Sequence, residues 1–345
     1  MKTLTNPFRG SGLAAPALVP MPYPSTDAAV PQALLAHCPV AQVTPLHDVA
    51  GLAQACGVGT LHIKDERARM GLGSFKALGA AYVIACDAQA GRAQGTTYVT
   101  ASAGNHGLSV AAGAAAFGAR AVIYIADTVP PTFAARLRAQ GAEVVREGAD
   151  YEHSMAAATK AAADMGAVLL SDSSWPDYSA RPHKLMEGYL ALMAEVFDQI
   201  PQPPTHIFLQ AGVGGLAGAA AAAARAQWQD APRIIVVEPA HAPALFASIE
   251  AGEPVDAPGP VSAMGRLDCK VPSLIALKGL ARDADDFMTV TEAEGQAGAD
   301  LAAQHALPTT PSGAAGLSGL LAAGQTLGLS PDARVLLILS EGPEQ

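Results

Sequence analysis

Aromatic residues make up only 5% of the chain and charged ones 15%. A core of bulky rings is therefore excluded. With 34 glycines and half its residues hydrophobic, the composition points to closely packed helices and strands whose backbone can approach a ligand. Cysteine is scarce too. Cys38, Cys56, Cys86 and Cys269 stand far apart, a spacing that suits neither a zinc site nor a disulfide framework. No metal is expected, and the thiols read as reduced, in a cytoplasmic setting. Positive charge falls short, leaving a formal net of −10, which argues against nucleic acid or an anionic membrane surface as a partner. Long apolar runs are missing: the longest, 212–224, is mostly Ala and Gly, too short and too weakly hydrophobic to cross a bilayer. Prolines at 7, 16, 20, 22 and 24 interrupt any signal-peptide core.

What is present is an alternation of short β-rich runs and Ala-rich helical ones. The proline-rich opening, some thirty residues, reads as an irregular surface arm, followed by a short helix near Gln32 to Cys38. Strands are expected at Thr60–Lys64, Thr97–Thr100, Ala121–Ala126, Glu143–Arg146, His206–Gln210, Arg233–Glu238 and Ala333–Leu339. Helices are expected between them, among them Leu108–Phe117, Pro131–Gln140 and Tyr151–Met165. Such alternation implies α/β architecture with mostly parallel sheets, and ligands in such sheets sit beyond the carboxyl ends of the strands.

Three loops fall at such ends. The first leads through Gly71 and Gly73 to Ser74-Phe75-Lys76 and an apolar helix expected to start near Ser74. A lysine there is costly to bury unless it is neutralised, paired or covalently bonded, and a desolvated amine is the form that builds Schiff bases. The second, Ser102-Ala103-Gly104-Asn105-His106, offers a hydroxyl, backbone amides and a side-chain amide, chemistry that suits an amino-acid carboxylate and one further oxygen. The third, Gly212-Val213-Gly214-Gly215-Leu216, joins a strand to a helix with backbone N–H groups free to cradle a phosphate. It lacks a P-loop lysine. It also matches the opening of a dinucleotide fingerprint, so an oxidoreductase is an alternative on this loop alone.

Taken together, these segments resemble the pyridoxal-phosphate enzymes of fold type II, the group of the tryptophan synthase β-subunit and threonine dehydratase. The resemblance implies two α/β domains, with the active site in the cleft between them. Residues 1–91 and 176–345 would form a large cofactor-binding domain, and 92–175 a small one carrying the Ser102–His106 loop. It further implies that Lys76 is the Schiff-base lysine, flanked by Phe75. Asn105 would meet the cofactor ring oxygen, Gly212, Val213, Gly214, Gly215 and Leu216 the phosphate, and Ser340 the pyridine nitrogen. Ser102, Ala103, Gly104 and His106 would line the substrate.

Within the group the chain is most similar to the diaminopropionate ammonia-lyase family. The likeness rests on Lys64-Asp65-Glu66, on Gly71 to Gly79, on Thr205 to Gly214, on Asp172-Ser173-Ser174-Trp175, on Val237-Glu238-Pro239 and on Ser340-Glu341-Gly342. It implies α,β-elimination on an L-2-amino acid, most simply 2,3-diaminopropionate, to a 2-oxo acid and ammonia, by a homodimer. Asp268 and Cys269 are candidates for the acid that protonates the leaving group. The sequence departs from this family at two places: Ala103 stands where it has an aspartate base for a D-substrate, and Pro311-Ser312-Gly313 where it has glutamate-serine-glycine. A methyl group takes no proton, so one-base chemistry by Lys76 and use of the L-isomer alone follow. Alternatives are an L-serine, threonine or 3-hydroxyaspartate dehydratase, a β-replacement synthase, and a non-catalytic amino-acid binder. Arg181, His183 and Lys184 form a basic cluster, either a receptor for a second carboxylate or a solvated patch.

Overall fold

The computed structural model describes residues 1–343. Its strands are β1 (Lys2–Thr5), β2 (Leu46–Asp48), β3 (Thr60–Asp65), β4 (Thr97–Ala101), β5 (Arg120–Ile125), β6 (Glu143–Arg146), β7 (Val168–Leu169), β8 (His206–Gln210), β9 (Arg233–Pro239), β10 (Asp286–Val290) and β11 (Arg334–Leu339). They form a seven-stranded sheet, ordered β1-β10-β9-β8-β11-β3-β2, and a four-stranded sheet, β6-β5-β4-β7. All pairings are parallel except those of the two edge strands, β1 with β10 and β2 with β3.

The central strands are apolar on both faces because both are covered. Along β9, Ile234 and Val236 enter one core while Ile235 and Val237 enter the other, and β11 alternates in the same way. One face is covered by the helices Ala80–Gln89, Ala180–Gln199, Gly215–Trp228 and Leu274–Asp283, the opposite one by Ala50–Cys56, Glu292–Gln304 and Ala315–Ala323. Gly215–Trp228 is nearly all Gly and Ala along its first ten residues, which lets it pack against both Ala180–Gln199 and Leu274–Asp283. In the four-stranded sheet Val99, Val122 and Tyr124 pack on Ala158 and Ala162 of the helix Tyr151–Asp164.

Two sequence expectations change. The opening residues are not wholly irregular: Lys2–Thr5 pairs with β10, and beyond it Leu13, Leu18 and Met21 are buried in the core. The proline-rich composition masked a four-residue edge strand, whose partner lies more than 280 residues away. The helix after Lys76 does not start at Ser74. Phe75–Leu78 forms a separate 3₁₀ turn, and the α-helix runs from Ala80 to Gln89 after a break at Gly79.

Candidate active site

Lys76 lies in that turn and is held from two sides. The N–H of Phe75 donates to the carbonyl of Ser340 at 3.0 Å, just past the end of β11, and Ser74 pairs with Glu341. On the other side the helix Ala180–Gln199 comes so close that a Cβ on Gly188 would stand 2.1 Å from the Leu78 carbonyl oxygen. Only glycine permits that approach. The next helical residue, Tyr189, meets the Phe75 ring edge-on at 4.9 Å, and the Lys76 ammonium lies 5.3 Å from the centre of that ring.

The partner of Lys76 is Asp172, bonded directly to its Nζ, with both side chains about four-fifths buried. Burial pulls the Lys76 ammonium down, but the Asp172 carboxylate beside it more than compensates and holds it well above its ordinary value. Burial likewise pushes the Asp172 carboxyl up, and Lys76 outweighs this, keeping it ionised far below the usual range. Asp172 was visible in the sequence as part of a resembling segment, yet nothing marked it as the lysine's partner. Tyr189 was not singled out at all. Its hydroxyl and His106 Nδ1 are buried polar atoms without a hydrogen-bond partner among the described residues, and both lie in the field of Lys76. Tyr151, half exposed at the start of its helix, reaches into the field of Asp172 and Cys269.

The glycine loop follows β8. Gly214, at φ +98°, takes a conformation that side chains resist, and it starts the helix Gly215–Trp228 with no side-chain cap. The first N–H groups of that helix are left for an outside acceptor, as an anion site requires. The loop borders the lysine: a Cβ on Gly215 would lie 3.6 Å from Tyr189, and one on Gly212 would lie 3.0 Å from Cys269 Sγ.

The loop after β4 turns through Ser102, whose hydroxyl accepts from the Gly104 N–H at 3.3 Å, and passes Ala103 into the helix Asn105–Ala116. That helix starts three residues earlier than its apolar pattern suggested, because Asn105 and His106 form its first turn. Asn105 Nδ2 donates to Glu341, and His106 Nε2 bonds the Leu170 carbonyl at 2.8 Å. Burial lowers the His106 imidazole, so its Nε2 carries the proton given to that carbonyl and Nδ1 is an acceptor. Ser340 is buried at the carboxyl end of β11.

The two suggested acids differ in setting. Asp268 is tied to Lys270 at 2.5 Å, and Lys270 also reaches the carbonyls of His241 and Pro260. Cys269 lies against the glycine loop, its thiol pushed up to about 12 by burial. The basic cluster is spent on internal partners: Arg181 pairs with Asp87, Lys184 with Glu187, and His183 bonds the Tyr23 carbonyl.

These features fit pyridoxal phosphate. Two buried polar atoms, Tyr189 Oη and His106 Nδ1, lie in the field of the buried lysine, and beside it an uncapped helix start offers N–H donors. Residues 39–341 match the family model described as "Pyridoxal-phosphate dependent enzyme". The chain is 32% identical to a diaminopropionate ammonia-lyase of Salmonella typhimurium, over 87% of its own length and 85% of that protein's. An L-threonine ammonia-lyase of Geobacter sulfurreducens is 30% identical, over 64% of this chain and 52% of that one. Among solved structures, the Escherichia coli diaminopropionate ammonia-lyase in complex with an aminoacrylate-PLP azomethine reaction intermediate superposes with a TM-score of 0.89 at 27% identity, covering 99% of this chain and 93% of that one. No helix among the described residues is long and apolar enough to cross a membrane.

Proposed function

The chain belongs to the pyridoxal-phosphate dependent enzymes, and on that premise we propose that it is an ammonia-lyase acting on L-2,3-diaminopropionate, releasing pyruvate and ammonia. The observation that carries this reading is the Lys76–Asp172 pair beside the glycine loop, in a chain that matches diaminopropionate ammonia-lyases over most of its length. Bound pyridoxal phosphate supplies the electron sink that acidifies the Cα–H bond of an amino acid. Lys76 would hold the cofactor covalently between turnovers. Gly212 to Leu216 and the start of the helix behind them would receive its phosphate, Asn105 its ring oxygen and Ser340 its ring nitrogen. A neutral serine hydroxyl donates to the nitrogen without the full charge an aspartate would bring.

The Ser102–His106 loop orients the substrate carboxylate. Once the incoming substrate amine takes its place on the cofactor, the freed Lys76 Nζ would take the Cα proton. The ionised Asp172 carboxylate keeps that amine oriented, and the proton Lys76 has taken is the one it would return to the departing β-amine. Lys76 would then supply the acid for which Asp268 was a candidate, the Asp268 carboxylate being engaged by Lys270. The domain division at 91/92 and 175/176 is part of the same proposal, supported by the way β4 to β7 form their own sheet. A cytoplasmic homodimer without a nucleic-acid partner is its last part, supported by four free cysteines and the net charge of −10.

The test is a panel of L- and D-2,3-diaminopropionate, serine, threonine and the 3-hydroxyaspartates offered to cofactor-loaded enzyme, with 2-oxo acid as the readout. The proposal expects L-2,3-diaminopropionate to give the highest kcat/KM. Preference for L-serine or L-threonine would favour a dehydratase instead, the reading to which the threonine ammonia-lyase similarity also leads.

A further inference from the structure

Glu341 was noticed in the sequence only as part of a resembling segment, yet its carboxylate joins three parts of the molecule. It is 5% exposed. One oxygen accepts from Asn105 Nδ2, the other from Thr310 Oγ1, and Arg266 Nε lies 3.6 Å away. Its own carbonyl accepts from Thr309 Oγ1 at 2.5 Å, and its backbone bridges to Ser74. One residue thus connects the loop after β4, the lysine-bearing turn and the end of β11.

A buried carboxylate is costly unless its oxygens are satisfied. Here an amide, a hydroxyl and a guanidinium satisfy it, and the start of the helix Asn105–Ala116 adds a favourable dipole. The consequence falls on Asn105. A primary amide has a donor end and an acceptor end of nearly equal shape, and without a specific neighbour it can present either. An ionised carboxylate only accepts, so Glu341 selects the orientation with Nδ2 toward it. That nitrogen carries a second proton. Arg266 holds the arrangement from above: its guanidinium carbon would stand 3.6 Å from a Cβ on Gly104 and lies 5.4 Å from the centre of the Phe133 ring.

We propose that Glu341 is a positioning residue for the cofactor, fixing the Asn105 amide in the one orientation that leaves a proton to donate to the ring oxygen. The proposal rests on the reading of Asn105 as the ring-oxygen contact, and the test separates the two. Cofactor-loaded wild type, E341Q, N105A, T310V and the double variant N105A/E341Q are compared without substrate, by visible absorption spectrum, by cofactor dissociation in equilibrium dialysis, and by Tm. Glutamine can donate as well as accept, so E341Q frees the Asn105 amide to turn over.

The expected result is that E341Q shifts the balance of the cofactor's absorption bands in the same direction as N105A and raises the dissociation constant by roughly tenfold. The double variant then goes no further than N105A, because both changes remove one interaction. T310V, which leaves the Asn105 contact in place, keeps the wild-type spectrum. Two results would overturn the proposal while sparing the Asn105 reading: a wild-type spectrum in E341Q while N105A shifts, or a double variant that shifts additively. A lower Tm in E341Q and T310V alike, with both spectra unchanged, would mean a purely structural carboxylate and would equally overturn it. An unshifted spectrum in N105A would sink the Asn105 reading itself, and the proposal with it.

Discussion

Lys76 and Asp172 reach each other from different sheets. The lysine follows β3 of the seven-stranded sheet, the aspartate follows β7 of the four-stranded one, and their charged ends are bonded directly. Proton transfer at this site therefore involves a pair, and each member sets the charge state of the other.

The first prediction concerns that pair. D172N keeps the shape and a hydrogen-bonding end but removes the charge, so the cofactor still loads while kcat falls by roughly 10²-fold or more. Stability of the cofactor-free protein follows the same pair. The Asp172 contribution is complete above its ordinary value of 3.8 and fades as pH falls below it. The Lys76 contribution is complete below 10.5 and is lost as pH rises beyond that. The Tm gap between wild type and D172N should therefore be widest at intermediate pH and close at both extremes. A kcat unchanged in D172N would remove Asp172 from the chemistry.

The second follows from Ala103, a methyl where a proton acceptor for the opposite substrate face would have to stand. D-2,3-diaminopropionate should turn over at least about 100-fold more slowly than the L-isomer. Comparable rates, measured by 2-oxo acid release, would require a second base.

A third prediction concerns the support beneath the lysine turn. Glu195 binds Lys64 Nζ at 2.6 Å and Arg69 Nη1 at 2.8 Å, and both basic side chains are fully buried. E195A leaves two cations short of a partner and should cost about 3–5 kcal/mol in urea unfolding. A loss below about 1 kcal/mol would show that water or rearrangement replaces the carboxylate.

Glu238 gives a fourth. Fully buried at the end of β9, it accepts from the N–H groups of Leu245 and Phe246, and burial raises it to about 8 against an ordinary 4.5. The folded state holds its proton more tightly than the unfolded one. Stability attributable to this group therefore falls as pH rises from about 4.5 to about 8. The Tm of E238Q, whose side chain does not titrate, should gain on wild type across that window. A pH-independent difference would contradict the assignment.

Most of the architecture was legible because central strands such as β8, β9 and β11 are continuous apolar runs and the helices between them are Ala-rich, so the two periods alternate cleanly. The three loops stood out because each joins a strand to a helix start with residues suited to binding, although the 212–216 loop taken alone also matches a dinucleotide fingerprint. What escaped were relationships set by distant pairing. Strand β1 has a polar four-residue sequence that forms only because β10 offers it an edge. Asp172, Tyr189 and Glu341 carry no local signal, since an acid or a phenol in a polar or amphipathic stretch looks like any other until the fold turns it toward Lys76 or Asn105. The internal partners of the basic cluster at Arg181 to Lys184, Asp87 and Glu187, escaped for the same reason: they are fixed by packing, and spacing does not reveal them.

The central claim is elimination of a β-amino group from an amino acid held at Lys76, and the ratio of products tests it most directly. Loss of both nitrogens from L-2,3-diaminopropionate, with one water taken up, gives two ammonia molecules for each pyruvate. Cofactor-loaded wild type should yield that ratio, and K76A should yield neither product. Pyruvate from serine but none from L-2,3-diaminopropionate, or undiminished turnover in K76A, would contradict the account.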